Sequence, residues 1–397
     1  MTTANKVSQT QRIMFLYINT GGGHVSAAKA LIKDLENRYT PEEVETHLVN
    51  GMGQTKSWSS VMIENGYTVV SSQLQLLWPA IYNLGSWPWV MSLQTNIMRI
   101  QQSDFLADYI IQNRITKVVV LHFLMIRPLY SALCRMGRTD MPAVTVVLDP
   151  FTIHNMWTFH QFMPIIAFSH QASLRLHNRL KKFAIKGSRA ASDNPEIRIM
   201  PPILDKRFAH RRSEPENRKM RTELGLALDK PVILLAGGGE GLPDGERYLR
   251  ALAHSRLDMQ VVMVCGKNKI QYDLAGLITR LYPAMPIKVL GFVNIMYELM
   301  NLADIIVTKG GPATVFEALS LRKPMIVTKY LYGQEQGNVD YVVHHGLGWY
   351  ERKPGNMVRR VQQLLENPSA FDAVRHRLSQ VNLGIGTSDI ADFIVKR

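Results

Sequence analysis

IIVTKGGPATVFEALSLRKPMIVTKYLYGQEQGNVDYVV, residues 305–343, is the stretch whose reading decides the fold. Ile305, Ile306 and Val307 form a short apolar run bounded by turn residues, the length of a buried strand. Gly310, Gly311 and Pro312 then read as a turn, residues 314–321 as a helix, Met325, Ile326 and Val327 as a second strand, and residues 333–338 as a polar loop. A strand, a glycine turn and a helix N-terminus gather unpaired N–H groups and the positive end of a helix dipole at one spot. The ligand for such a spot is an anion, and a phosphate fits best. Glu317 lies about one turn into the helix, where its carboxylate can accept hydrogen bonds from sugar hydroxyls beside that phosphate. A nucleotide is the ligand this pairing implies; the alternative is a surface glutamate on a helix.

Working outward, the same pattern recurs through the C-terminal half. Residues 231–236 are a strand running into Gly237, Gly238, Gly239, Glu240 and Gly241, where the backbone can approach a diphosphate closely. Residues 261–264 lead to Cys265, Gly266 and Lys267, and residues 287–290 to Gly291, Phe292 and Val293. Gln334, Glu335 and Asn338 read either as a hydroxyl-binding set or as a polar turn. A tight βα connection can require glycine for its own sake, so the weight rests on several such turns in one half.

The N-terminal half opens in the same way. Residues 13–18 are a strand, followed by Asn19, Thr20, three consecutive glycines and His24; a helix over 25–35 has Ala28, Leu31, Ile32 and Leu35 on one face. Three consecutive glycines are not the GxGxxG spacing of a dinucleotide site. Ligands in doubly wound α/β domains gather at the carboxyl ends of the strands, which puts His24 at the working edge. It reads as a general-base candidate with an ordinary pKa near 6.5. Its alternative is a helix-terminal or core histidine. Strands at 118–121 and 144–148 end at His122 and Asp149, and Asp149 is the carboxylate best placed to orient the His24 ring. MPPILD, residues 200–205, reads as the linker between the two halves.

Composition narrows the classes. At 397 residues the chain predicts two or three domains of about 150 residues each. Its 2 cysteines are too far apart for a metal site or disulfide framework, and a reducing cytoplasm fits. No signal peptide and no membrane-spanning run is expected. The net charge of +14 then calls for nucleic acid, an anionic membrane surface or anionic small molecules as partners. Residues 175–221 form a basic belt with few opposing acids, either a solvated face or a patch for anionic headgroups. Residues 52–100 carry 4 of the 6 tryptophans, Trp58, Trp78, Trp87 and Trp89. They read as a helical subdomain filling its own core, as an acceptor or membrane-facing lobe, or as both. No Asp-x-Asp pair stands ready for a divalent ion, so no metal is expected, and helix dipoles and amides are left to stabilise a leaving group.

Taken together, GGGH (21–24), GGGEG (237–241), CGKNK (265–269), GFV (291–293), TKGGPATVFEAL (308–319) and GQEQGNVDYVV (333–343) resemble the monogalactosyldiacylglycerol synthase family. Bacterial processive diacylglycerol glucosyltransferases and the N-acetylglucosaminyltransferase that completes lipid II are more distantly similar. The resemblance covers nearly the whole chain. It implies an α/β chain of the GT-B fold, two Rossmann-like doubly wound domains facing a central cleft. Residues 1–203 would be the acceptor and membrane-associating domain, 204–375 the UDP-sugar domain, and 376–397 a segment packing back on the first. On that carry-over Phe292 and Val293 flank the uracil and Glu317 takes the ribose. Gly238, Gly239, Glu240, Gly266, Gly311, Pro312 and Thr314 line the donor, and Gln334, Glu335 and Asn338 read the hexose. His24 matches a loop histidine proposed as base, and Asp149 an acidic position after a strand. Trp78, Trp87, Trp89, His154 and Trp157 are assigned to the acceptor or membrane side.

The implied activity is inverting transfer of a hexose, galactose or alternatively glucose, from a UDP-sugar to diacylglycerol by a cytoplasmic protein held at an anionic membrane. The donor is a substrate, and no cofactor is implied. A soluble UDP-sugar 2-epimerase on the same architecture is a second reading, and product analysis separates the two. A basic nucleic-acid binder is disfavoured: it would interleave aromatics with cations, whereas here they lie in different segments.

Overall fold

The computed structural model describes residues 10–19, 22–53, 77–183 and 195–397. Trp58, with the rest of residues 54–76 of the aromatic segment, and Lys186 and Arg189 of the basic belt lie outside those residues, as does Gly21. The chain divides into unit 1, Met1–Ile203 with Gly386–Arg397, and unit 2, Leu204–Ile385. Residues 376–385 therefore stay with unit 2, and only the last twelve return to unit 1.

Unit 1 holds β1 (Gln11–Tyr17), α1 (Gly22–Glu36), β2 (Val44–Asn50), α2 (Trp78–Gly85), α3 (Pro88–Gln112), β3 (Lys117–Val120), α4 (Ile126–Arg135), β4 (Ala143–Val146), β5 (Ile165–Ala167), α5 (His170–Phe183) and β6 (Ile197–Ile199). Its sheet is wholly parallel in the order β2-β1-β3-β4-β5-β6, so the direction of winding reverses between β1 and β3. Strands such as KVVV and AVTV are buried along their whole length because helices cover both faces, the condition under which parallel sheets occur.

Unit 2 holds α6 (Glu214–Leu224), β7 (Val232–Ala236), α7 (Gly245–Ser255), β8 (Gln260–Val264), α8 (Lys269–Leu281), β9 (Ile287–Leu290), α9 (Met296–Leu302), β10 (Ile305–Lys309), α10 (Pro312–Ser320), β11 (Met325–Lys329), α11 (Gln336–His344), β12 (Gly348–Tyr350), α12 (Pro354–Glu366) and α13 (Pro368–Ser379). Its parallel sheet runs β12-β11-β10-β7-β8-β9, reversing between β7 and β10. The helix expected from residue 314 starts at Pro312, whose missing N–H costs nothing at a first turn. The polar loop expected over 333–338 is helical from Gln336.

The last helix, α14 (Thr387–Lys396), packs against α1 in unit 1. The side chain of Lys117, on β3 and almost wholly buried, donates to the carbonyls of Ile394 (3.0 Å) and Val395, two of the final acceptors that helix geometry leaves unpaired. Arg38 pairs with Asp392 at the helix's exposed edge. Lys117→Met should therefore lower stability by about 1–3 kcal/mol, the cost of leaving buried acceptors unpaired. A shift in the urea midpoint, with earlier protease cleavage near residue 386, would show it; an unchanged midpoint would remove the clamp from the account.

Part of the basic belt that the structure describes is paired with acids. Arg198 pairs with Glu196, Arg207 with Asp205 and Glu298 (both 3.3 Å), Arg218 with Glu214 (3.7 Å) and Arg221 with Asp304 (3.3 Å). The belt was read as weakly opposed because Glu298 and Asp304 are far away in sequence. Local charge counting cannot see them.

Candidate functional site

In unit 2 the two strands at the winding reversal each end in a glycine turn. After β7, Gly238 adopts φ 89° and Gly239 follows; a side chain added at either would meet no atom within 4 Å, so this backbone is open. Gly237, Gly241 and Gly266 are different. A Cβ on Gly266 would lie 2.2 Å from the Gly239 carbonyl, and the Lys267 N–H donates to that same carbonyl at 2.8 Å. Gly266, expected to line the donor, is thus a buried packing residue that lets the β8 turn brace the β7 turn. Glu240 is exposed at the tip.

After β10, Gly311 caps α10, with Val315 donating to its carbonyl at 3.1 Å. Pro312 has no N–H, so the amides of Ala313 and Thr314 are the free donors of the first turn. Beside them is a residue that the sequence reading gave no role. The Lys309 ammonium lies 3.6 Å from where a Gly311 Cβ would be and 2.8 Å from the Glu335 carboxylate. The signal was present in the KGGP string. Glu335 Oε1 lies equally close to that point, at 3.6 Å, so Lys309 brings ammonium N–H donors to the anion site with its charge already partnered.

Glu335 and Asn338 were expected to read a sugar, and both point inward instead. Glu335 is buried; Oε1 accepts from Lys309 and Oε2 from the Leu331 amide at 2.9 Å. Asn338 is buried on α11 and donates from Nδ2 to the Gly310 carbonyl at 2.8 Å. They tie the loop after β11 to the turn after β10, holding the anion site in shape. Gln334 is partly exposed beside them.

Glu317, on α10, keeps some solvent contact, yet burial in the surrounding protein, with a smaller push from Asp205, raises its pKa to about 8. At neutral pH it is mostly protonated and can donate as well as accept. Phe292 is an exposed ring with the Lys267 ammonium 5.8 Å from its centroid, open to stacking, and Val293 beside it is partly exposed.

In unit 1 the residues at the winding reversal are histidines. α1 starts at Gly22, three residues before the expected start at Val25, so His24 lies inside its first turn rather than just ahead of it. Its Nδ1 lies 2.7 Å from the Leu121 carbonyl. A carbonyl only accepts, so Nδ1 carries the proton and Nε2 the lone pair. The expected orienting carboxylate is thus replaced by a backbone oxygen. Asp149 is buried and accepts from the Trp157 indole N–H at 2.8 Å.

His122, noted in the sequence only as a polar strand end, has its ring 5.0 Å from that of His24 and accepts the Leu124 amide on Nδ1 at 3.3 Å. His154 accepts from Met156 N at 3.2 Å and bonds Ser86 Oγ at 3.1 Å, with Phe123 stacked 5.5 Å away. Burial drives all three histidines below their usual range, His24 to about 4 against the opposing pull of the Leu121 bond, His154 to about 4, and His122 well down. An ordinary pKa near 6.5 for His24 is therefore corrected. These imidazoles are neutral at physiological pH.

The tryptophans separate into two groups. Trp157 and Trp78 are buried, so neither meets an acceptor or membrane from the surface. Composition counts aromatics without saying which way they face. Trp87 and Trp89 are 51% and 63% exposed, at the start of α3, and Leu77, Ile81, Leu84 and Leu93 around them are exposed as well. Among the described residues no helix is long and apolar enough to cross a membrane, and no cluster of three or more His, Cys, Asp or Glu could hold a metal ion.

Residues 245–381 match the glycosyltransferase family 28 C-terminal domain. Over 371 residues, 89% of this chain and 66% of the relative, the sequence is 29% identical to monogalactosyldiacylglycerol synthase, chloroplastic, of Spinacia oleracea. It is 27% identical over 363 residues to monogalactosyldiacylglycerol synthase 3, chloroplastic, of Arabidopsis thaliana, covering 89% of this chain and 74% of that protein. The chain thus spans about two thirds of the length of the spinach protein. MurG of Acinetobacter baumannii superposes with TM-score 0.60 at 14% identity, covering 98% of this chain and all of that one. The UDP-GlcNAc 2-epimerase of Neisseria meningitidis superposes at 0.58 and 13%, covering 97% and 99%. The fold is that of the GT-B glycosyltransferases, and the likeness to monogalactosyldiacylglycerol synthases read from the motifs runs through most of the chain.

Proposed function

We propose that this chain is an inverting glycosyltransferase that moves a hexose from a UDP-sugar to the free hydroxyl of diacylglycerol at a lipid surface. One observation carries the donor half: the open Gly238–Gly239 backbone, the α10 N-terminus and Lys309 frame the winding reversal of unit 2, with Glu317 one helical turn further on. That grouping fits a nucleoside diphosphate whose ribose meets Glu317 and whose base meets Phe292. The names of the relatives support diacylglycerol as acceptor and galactose as the hexose, with glucose the alternative.

In this reading Nε2 of His24 takes the proton from the lipid hydroxyl as its oxygen attacks the anomeric carbon. The bond from that carbon to the diphosphate breaks, the configuration inverts, and UDP leaves with its charge met by Lys309 and the α10 amides. His122, at 5.0 Å, keeps a second neutral imidazole beside the base. No metal is required for the leaving group.

The exposed apolar surface of α2 and α3 supports attachment to lipid, since tryptophan rings suit the boundary between headgroups and acyl chains. Replacing Trp87 and Trp89 together by serine should weaken flotation with anionic vesicles about tenfold or more while leaving UDP binding unchanged; equal flotation would exclude this face. The reaction is tested by offering radiolabelled UDP-galactose and UDP-glucose with diacylglycerol vesicles and resolving the products. A labelled lipid from either donor is expected, and its absence with both would end the proposal. Conversion of the UDP-sugar without lipid would instead favour the 2-epimerase reading.

A further inference from the structure

Three histidines lie near the carboxyl edge of the unit 1 sheet, and two of them keep a ring nitrogen uncommitted. His154 is engaged on both sides. Its Nδ1 accepts from the Met156 amide, so Nε2 carries the proton and donates to Ser86 Oγ at 3.1 Å, whose own hydroxyl donates to the Tyr82 carbonyl at 3.0 Å. His24 and His122 are engaged on Nδ1 only. Among the described residues neither Nε2 has a hydrogen-bond partner, and neither belongs to the unpaired nitrogens that the fold seals from solvent. The two tautomers are opposite. The Leu121 carbonyl fixes the His24 proton on Nδ1 and leaves a lone pair on Nε2; the Leu124 amide occupies the lone pair of His122 Nδ1 and leaves an N–H on Nε2. Burial, with smaller pushes from His24 and His154, keeps the His122 ring neutral. A proton acceptor and a hydrogen-bond donor therefore stand side by side, with ring centroids 5.0 Å apart.

The row of rings has a direction. From His24 it runs through His122 to Phe123, 4.5 Å between centroids, then to His154 at 5.5 Å and to Tyr82 of α2 at 4.8 Å. Helix α2 carries the exposed Ile81 and Leu84, part of the apolar surface assigned to lipid attachment. A lipid entering from that surface passes His122 before its hydroxyl reaches His24.

We infer that His122 holds the acceptor by donating its Nε2–H to the carbonyl oxygen of the ester on the carbon next to the free hydroxyl, while Nε2 of His24 receives the hydroxyl proton. The inference rests on the reading of the chain as a diacylglycerol hexosyltransferase, and it gives that reading an acceptor rule: an ester beside the alcohol, and not merely an alcohol on an apolar chain. In 1,2-diacylglycerol the hydroxyl and this ester are on adjacent carbons, so two neighbouring imidazoles of opposite tautomer can each meet one of them. An ether at the second carbon has no carbonyl to offer and leaves the His122 N–H unpaired once the lipid has displaced water, which costs binding.

The experiment offers the full chain two acceptors in vesicles, 1,2-dioleoylglycerol and its analogue with an ether in place of the ester at the second carbon, each with UDP-galactose and with UDP-glucose. The readout is the ratio of kcat/KM for ester over ether within one preparation, from which the fraction of folded enzyme cancels. The parent should favour the ester about fivefold or more, the worth of one hydrogen bond. His122→Phe keeps the ring packing, and His122→Thr keeps an oxygen that can cap the Leu124 amide but is too short to replace Nε2. Both should bring the ratio to within about twofold of one, a change that a purely structural role for His122 would not produce. A parent ratio near one, or the parent's preference kept by either variant, would overturn the inference and leave the proposed reaction standing. No labelled lipid from either acceptor with either donor would end the reaction itself, and this inference with it.

Discussion

Replacing His24 by glutamine should lower turnover with lipid acceptor by about 10²–10⁴-fold, the usual contribution of a positioned general base. UDP affinity, measured by calorimetry, should stay within about twofold, since the residues assigned to the donor all belong to unit 2. The pH profile gives a second signature. With its pKa lowered to about 4 by burial, His24 holds its lone pair throughout the neutral range, so the acid limb of kcat/KM should fall near pH 4 rather than near 6.5. The same shift enters stability with a definite sign. In the unfolded chain the imidazole takes up a proton below about 6.5, whereas the folded ring does so only near 4. Stability is lost as pH falls from 6.5 through 4, and His122 and His154, lowered for the same reason, add to the loss. A variant with full turnover would remove His24 from the chemistry.

Glu317→Gln should act in two directions at once. Loss of a carboxyl group bonded to ribose hydroxyls should weaken UDP binding by about 10–100-fold, corresponding to about 1.5–3 kcal/mol. Stability should move the other way. The folded carboxyl keeps its proton to about pH 8, whereas the unfolded one gives it up near 4.5, so stability falls as pH rises between those values. Glutamine carries no such charge, and the variant should melt higher than the parent at pH 8.5 and alike at pH 4. A residue that costs stability and holds ligand is what a binding site is expected to contain. Unchanged UDP affinity would refute the assignment.

Most of the architecture could be read from the chain because parallel strands buried on both faces write themselves as short apolar runs between glycine turns. The runs 305–307, 325–327 and 261–264 lie within the observed strands β10, β11 and β8. Side-chain direction was harder. Glu335 and Asn338 look in sequence like ligands in a polar loop, but buried backbone groups need partners, and these two supply them to Leu331 and Gly310. Trp157 is assigned to the acceptor or membrane side by the family resemblance, whereas its indole N–H is satisfied inside by Asp149. Lys309 has no role in the reading of the KGGP string, where the weight falls on the glycines. Only the distance to Gly311 shows it at the anion site.

The return of residues 386–397 has a consequence for how the chain is assembled in modules. The Gly386 amide donates to the Pro202 carbonyl at 2.9 Å, and a side chain there would lie 2.0 Å from the Pro201 carbonyl. The polypeptide thus leaves unit 1 and re-enters it at one spot, where only glycine fits. Residues 204–385 form a cassette whose entry and exit stand side by side, the arrangement that tolerates replacement of an inserted segment without rebuilding the host. Under the proposed reading, donor preference and acceptor preference can change independently in such a chain, by exchange of the insert or of its frame.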